Sequence, residues 1–259
     1  MCTSATRTRG NYTIISNEML VDQVYEIIID CPQIAQETKA GQFVNLYCRH
    51  EGRLLPRPIS VCEIDKIKGC LHLVYAILGD GTREFSTYKA GETIEVMGPF
   101  GNGFDTNSIS DEHLIVAGGV GTPPMVELCK QLKGKKTIIV GFRDQPYLLD
   151  RFEKYGDVHV ATDNGSVGFR GNVVELMEQE GCKGLIYACG PTPMLKGIQA
   201  YAATYGLEAS LSLEERMGCG FGGCVGCVTK IAADTKAGYT YKKVCKDGPV
   251  FNAKEVLFS

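Results

Sequence analysis

Four cysteines near the carboxyl end have the type and spacing to do chemistry. The segment MGCGFGGCVGC sets Cys219, Cys224 and Cys227 at C-x4-C-x2-C, and Cys245 follows after seventeen intervening residues. This is the plant-type spacing for a two-iron, two-sulfur cluster, in which three thiolates come from one tight loop and the fourth from a distant strand. A loop that wraps a cluster needs positive φ angles and backbone close to the sulfurs. Gly218, Gly220, Gly222, Gly223 and Gly226 allow both at low steric cost. Four cysteines also suit tetrahedral zinc, but zinc ribbons usually carry two C-x2-C knuckles and this chain has one. Chance crowding is the third reading, set against three cysteines interleaved with five glycines within ten residues.

Two further segments carry the makings of an anion site. RLLPRPISVCEI places Arg57, Pro58, Ile59 and Ser60 at the end of one strand and the start of the next. An arginine and a hydroxyl there can grip a pyrophosphate, and the strand backbone can hydrogen-bond the edge of an isoalloxazine ring. The plainer reading is a surface arginine beside a strand-starting proline. After LHLVYAIL comes GDGTREFSTY, where Gly79, Gly81 and Thr82 are expected to form a turn opening into a short helix, an anion-favouring arrangement. A simple hairpin turn is the alternative. Together the two motifs could clamp both phosphates of FAD.

Nucleotide chemistry is also legible farther on. His113 to Ala117 reads as a strand running into GGVGTPP, with Gly119, Gly121 and Thr122 in the turn before a helix. That is the context of a phosphate-binding loop without the full G-x-G-x-x-G fingerprint. The next strand ends in Arg143 and Asp144, positions suited to a ribose 2′-phosphate and 2′-hydroxyl respectively, so spacing alone leaves NAD and NADP open. IYACGPTPML ends a strand in Cys189 and Gly190, which at the carboxyl edge of a sheet would lie beside a nicotinamide. An ordinary glycine bend before a proline-started helix reads equally well there.

The elements that must hold these residues fall into three grammars. From Tyr12 to about Pro99, short runs rich in Val, Ile and Tyr alternate with turn signals, as in a small antiparallel barrel. After GPFGNGF, strands alternate with helical stretches, as in a doubly wound parallel sheet; one helix is expected over PPMVELCKQLKG. Beyond Glu214 neither period survives, and glycine and cysteine dominate. The expected organisation is an α+β multidomain chain: an antiparallel β-barrel FAD domain over 1–105, a Rossmann-like α/β NAD domain over 106–213, and a small carboxyl-terminal 2Fe-2S domain over 214–259.

Composition narrows the rest. With 259 residues, 44% of them hydrophobic, two modest cores and an appendage can form. Twenty-seven basic against thirty acidic residues give a net charge of −3 without any basic run, which argues against nucleic acid as a partner. No window approaches the ~18 apolar residues of a membrane span, and the first residues do not read as a secretory signal, so a soluble, cytoplasmic protein is expected. The single cysteines, Cys2, Cys31, Cys48, Cys62, Cys70, Cys129, Cys182 and Cys189, then read as small buried hydrophobes.

In this order, RPIS and GT on a barrel, GGVGTPP and CGP on a sheet and then a cysteine loop, the chain resembles the ferredoxin reductase superfamily over nearly its whole length. Within it, RPISVCEI, SLEERMGCGFGGCVGC and CKDGPVFNAKEV resemble the electron-transfer subunits of dihydroorotate dehydrogenase B. The resemblance implies FAD contacts at Arg57 to Ser60, at Val74, Tyr75 and Ala76, and at Gly81 and Thr82. It also implies cluster ligation by Cys219, Cys224, Cys227 and Cys245, and NAD as co-substrate in preference to NADP. It implies a partner too: an FMN-containing catalytic subunit, assembled as a heterotetramer of two of each. A dihydroorotate-oxidising barrel would itself need ~250 residues, so that reaction does not fit in this chain, and no catalytic acid or base is expected here. The rival within the superfamily is a subunit of ferredoxin:NADP transhydrogenase, hydrogenase diaphorase or oxygenase reductase type. The rival outside it is a zinc-stabilised binding module with degenerate nucleotide loops.

Overall fold

The computed structural model describes residues 7–108 and 110–258; Cys2 lies outside them. Six antiparallel strands close a barrel: β1 (Thr8–Val21), β2 (Val24–Asp30), β3 (Phe43–Tyr47), β4 (Arg57–Asp65), β5 (Cys70–Ala76) and β6 (Thr93–Phe100), in the order β1-β2-β5-β4-β3-β6. Alternation drives it. Ile27 and Ile29 of β2, Val44 and Leu46 of β3, Leu71 and Leu73 of β5 and Ile94 and Val96 of β6 all point inward and are buried. Short helices α1 (Pro32–Glu37) and α2 (Asp80–Phe85) link the strands.

The second layer is built on β7 (Glu112–Gly118), β8 (Lys135–Phe142), β9 (Asp157–Thr162), β10 (Phe169–Arg170), β11 (Leu185–Cys189) and β12 (Ala209–Ser212). These strands are parallel, in the order β10-β9-β8-β7-β11-β12. The helices between them are α3 (Pro123–Gln131), α4 (Leu149–Phe152), α5 (Val173–Glu180) and α6 (Thr192–Tyr205). The helix expected over PPMVELCKQLKG stops at Gln131, and Leu132 is already extended, which lets Gly134 take φ +88° in the turn to β8. Chain order runs outward from β7 in both directions, so the topological switch lies between β7 and β11, where ligands of open α/β sheets bind.

Past Glu214 the chain is more regular than its sequence announces. β13 (Val228–Ala232) and β14 (Tyr239–Lys243) form a hairpin, α7 (Val244–Asp247) follows, β15 (Val250–Asn252) returns to β12 as an antiparallel seventh strand of the second sheet, and β16 (Val256–Leu257) pairs with β13. Strands of two to five residues are too short to show a period of two. No helix is long and apolar enough to cross a membrane.

Barrel and sheet are joined by polar contacts. Arg151 on α4 reaches Glu26 of β2 (2.7 and 2.8 Å) and Glu63 of β4 (2.6 Å), and His72 Nδ1 lies 3.0 Å from Glu26 Oε1. Among the described residues this is the one group whose three side chains, Glu26, Glu63 and His72, fall within a single metal's reach, and the Arg151 guanidinium already occupies it. Glu127 of α3, buried, accepts from the Ile64 backbone N–H at 2.8 Å.

Candidate functional site

The barrel and the sheet enclose a cleft of about 820 Å3. Its floor follows from strand register. β4 pairs with β5 only from Val61↔Leu73 onward; before that point Arg57–Ser60 pairs with β3, and Val74–Ala76 pairs with β2. The facing edges of these two segments are therefore open, and both line the cleft. Open backbone edges of this kind are what a flat heteroaromatic ring with hydrogen-bonding edges requires.

Arg57 ties the two anion motifs together. Its Nη1 donates to the Leu55 carbonyl at 2.6 Å, and its guanidinium lies so close to Gly81 that a β-carbon there would sit 2.7 Å from Cζ. GDGT opens α2 and not a hairpin. The Thr82 hydroxyl accepts from the Leu78 and Gly79 N–H groups (3.0 and 3.3 Å) and donates to the Gly79 carbonyl, so it shapes the turn. Glu84, on the same helix, accepts from the Arg49 N–H (2.6 Å), the Tyr88 hydroxyl (2.5 Å) and Arg53, pinning the loop that carries Arg53, Leu54 and Leu55 into the cleft wall. Desolvation alone would raise the Glu84 pKa; these donors outweigh it and hold it at about 2.

The sheet's contribution comes from the switch point. Cys189 of β11 pairs with Ala117 of β7 and with Ser212 of β12, so the turns after β7 and β11 lie side by side. Gly121 packs onto the Cys189–Gly190 peptide, where a β-carbon would lie 2.6 Å from the Gly190 nitrogen. Gly121, Cys189 and Gly190 line the cleft. Gly119 and Thr122 do not: the Gly119 carbonyl accepts from the Tyr147 hydroxyl at 2.8 Å, and the Thr122 hydroxyl is buried with no partner among the described residues. Burial pushes the Cys189 thiol up to about 12 against a hydrogen bond with Ser212. Arg143 and Asp144 sit exposed beyond β8, outside the cleft wall. From Ser212 the chain continues along the cleft wall through Glu214, Glu215, Arg216 and Met217, residues that the sequence reading did not include in the site.

That crossing segment leads into the cysteine loop. Cys219 and Cys224 form one pair: the Cys224 N–H donates to the Cys219 sulfur at 3.3 Å. Desolvation acts to raise the Cys219 thiol, but this N–H, that of Phe221 and the Cys224 thiol bring it down to about 6. Cys227 and Cys245 form the other pair. The hairpin sets Val228 against Lys243 and closes with the Val244 N–H donating to the Cys227 carbonyl at 2.9 Å, which delivers Cys245 to Cys227 from eighteen positions away. Burial, then the neighbouring Cys227 thiol, pushes Cys245 up to about 12. Two of the five loop glycines, Gly220 and Gly222, take the positive φ the loop demands, +74° and +91°; a β-carbon at Gly218 or Gly226 would meet only ordinary van der Waals neighbours, and one at Gly223 would press on the Phe221 ring.

A single tetrahedral zinc would bring its four sulfurs to about 3.8 Å from one another. Among the described residues no three of these cysteines have sulfurs mutually within 4.8 Å. Two separate pairs suit two metal ions, each taking two thiolates, so the donor set fits a two-iron cluster.

The family comparisons agree with this geometry. Residues 214–257 match the model of the iron-sulfur cluster binding domain of dihydroorotate dehydrogenase B. Over 97% of its length the chain is 39% identical to the dihydroorotate dehydrogenase B (NAD(+)) electron transfer subunit of Enterococcus faecalis strain V583, covering 99% of that protein. The subunit of the same name from Caldanaerobacter subterraneus subsp. tengcongensis is 38% identical over 95% of this chain and 97% of its own. The chain belongs to the dihydroorotate dehydrogenase B electron-transfer subunit family. Among solved structures it is similar to one of an NADH-dependent reduced ferredoxin-NADP oxidoreductase, with a TM-score of 0.85 and 29% identity over 95% of this chain and 89% of that one. A ferredoxin NADP+ reductase from Neisseria gonorrhoeae, TM-score 0.62, 18% identical over 76% of this chain and 92% of that one, shares the fold alone. In this family member, then, the open strand edges, the paired glycine turns and the paired thiols sit around one connected cleft and loop.

Proposed function

We propose that the chain is the electron-transfer subunit of an NAD-linked dihydroorotate dehydrogenase of pyrimidine biosynthesis, in which electrons from the FMN of a partner catalytic subunit reach NAD+ by way of a 2Fe-2S cluster and FAD held here. Near-full-length identity to relatives of that name supports the reading, and the observation that carries it is the pairing of Cys219 with Cys224 and of Cys227 with Cys245 beside the cleft. FAD supplies the adapter, because NAD takes two electrons as a hydride and the cluster moves one at a time.

The residues divide the work as follows. Arg57 and the first turn of α2, with Gly81 and Thr82, hold the FAD phosphates. The open backbone edges at Pro58–Ser60 and Val74–Ala76 hold and orient the ring. Gly119, Gly121 and Thr122 shape the NAD turn, while Cys189 and Gly190 bound the nicotinamide side of the cleft. The Glu214–Met217 segment walls the cleft and limits water there. No side chain acts as acid or base. We assign 1–105 to the FAD unit, 106–213 to the NAD unit and 214–259 to the cluster unit, with β15 anchoring the last to the second sheet. The partnership is a heterotetramer of two subunits of each kind. Eleven described cysteines without a disulfide favour a reducing cytoplasm.

The test is co-expression with the candidate FMN subunit and assay of dihydroorotate-dependent NAD+ reduction. Cys224→Ser is expected to lose this turnover and its labile sulfide while retaining FAD absorbance; undiminished turnover would refute the relay. The likeness to the ferredoxin-NADP oxidoreductase favours a second reading as a ferredoxin-linked reductase subunit. Ferredoxin-dependent NADP+ reduction without response to dihydroorotate would establish it.

A further inference from the structure

β3 alternates in and out of the barrel. Val44 and Leu46 fill its interior, so Asn45 between them points outward, where an amide would ordinarily meet water. Instead Asn45 is completely buried, because the cysteine loop lies on it. Its Nδ2 donates to the carbonyl of Cys219 at 3.0 Å, across 174 positions of sequence. Its Oδ1 is buried with no partner among the described residues. The amide is flush against Gly220: a β-carbon at that residue would stand 2.5 Å from Oδ1 and 2.6 Å from Nδ2, and its φ of +74° further restricts the site to glycine. An apolar side chain of similar size would cover the same area without an unsatisfied acceptor. What the amide adds is direction, a hydrogen bond that fixes one backbone atom of a cluster-ligating position. On the barrel side Asn45 is the register partner of Pro58, in the middle of the Arg57–Ser60 segment that floors the cleft. A single residue therefore touches the cluster loop and the strand pair beneath the ring site.

We propose that Asn45 is a positioning residue for electron transfer: its amide pins the Cys219–Gly220 backbone to the outer face of the barrel and so fixes the cluster relative to the flavin-binding strands. The inference rests on the proposed function and deepens it. Groups that orient metal ligands from the next shell alter affinity or activity by roughly 10- to 100-fold when removed. The same scale is expected here for the step between the two redox groups.

The experiment uses the co-expressed two-subunit complex with Asn45→Ala and Asn45→Asp, the second keeping the size but losing the donor. After anaerobic mixing with NADH, flavin bleaching and cluster reduction are followed separately, alongside iron and labile sulfide analysis and the EPR spectrum of the reduced cluster. Expected is a fall in the ratio of cluster-reduction to flavin-reduction rate of roughly 10- to 100-fold, with an altered EPR spectrum, in at least one variant that retains iron. Wild-type ratio and spectrum in both iron-containing variants overturn the proposal. So does loss of iron in both, since Asn45 would then retain the cluster and not position it. A wild-type complex without iron signals failure of the functional reading itself and is recognised before any variant is compared.

Discussion

Gly121 shows how little space separates the two nucleotide turns. Any β-carbon there presses on the Cys189–Gly190 peptide, which is backbone and cannot rotate away. Gly121→Ala forces the turns after β7 and β11 apart, an overpacking that costs about 1–3 kcal/mol. FAD, on the proposed assignment of its site to the barrel, is expected to remain bound while NADH affinity falls roughly tenfold for each 1.4 kcal/mol expressed in binding. Titration of flavin reduction with NADH checks this, and an unchanged half-saturation would place the co-substrate elsewhere. Cys189 shows the limit of reading residues singly: it is one of eight scattered cysteines in sequence, and only its pairing with Ala117 and Ser212 brings it to the cleft.

Between elements, the Arg151 contact joins α4 to β2 and β4. Burial would raise the Glu26 pKa, but hydrogen bonds from His72 and Arg151, with the Arg151 charge, outweigh it and hold the group at about 2. An ordinary glutamate titrates near about 4.3. The folded state therefore binds this proton less readily than the unfolded one. The resulting stability is fully present above about 4.3 and is lost as pH falls from there towards about 2; Glu84 acts in the same sense. Arg151→Leu strands two carboxylates, a loss of roughly 3 kcal/mol, and is expected to move the acid-unfolding midpoint, followed by circular dichroism, to higher pH. An unmoved midpoint would mean that the contact adds nothing to the joining of barrel and sheet.

For the whole molecule, the cores run through one another. A single buried cluster contains Phe43 and Phe100 of the barrel, Leu114 and Val116 of the sheet, and Cys227, Val244 and Cys245 of the cysteine unit. β15 hydrogen-bonds into the second sheet, and Gln199 of α6 donates to the carbonyls of Ala253 and Val256. Removing iron by chelation should therefore lower the thermal midpoint of the entire chain, by roughly 2–4 °C per kcal/mol of binding energy lost. Calorimetry is expected to show one displaced transition; a separate low-temperature transition with the main one unmoved would show that the cysteine unit melts alone.

What the sequence determined by itself was whatever short-range spacing encodes. Three cysteines within one glycine-laced loop, the switch from barrel alternation to strand-helix alternation, and the RPIS, GDGT and CGP turns all lie within windows where chain connectivity dictates geometry. Tertiary structure decided what depends on contacts between distant positions. Cys245 becomes a partner of Cys227 only through the β13–β14 register. The strand edges open to the cleft only because the β4–β5 ladder ends at Val61 and Leu73, and Gly119 and Thr122 fall behind the wall that Gly121 forms. Asn45 is an unremarked polar residue in a strand until a loop from the other end of the chain folds over it. Each of these depends on which surfaces meet, and a residue's type and near neighbours carry no record of that.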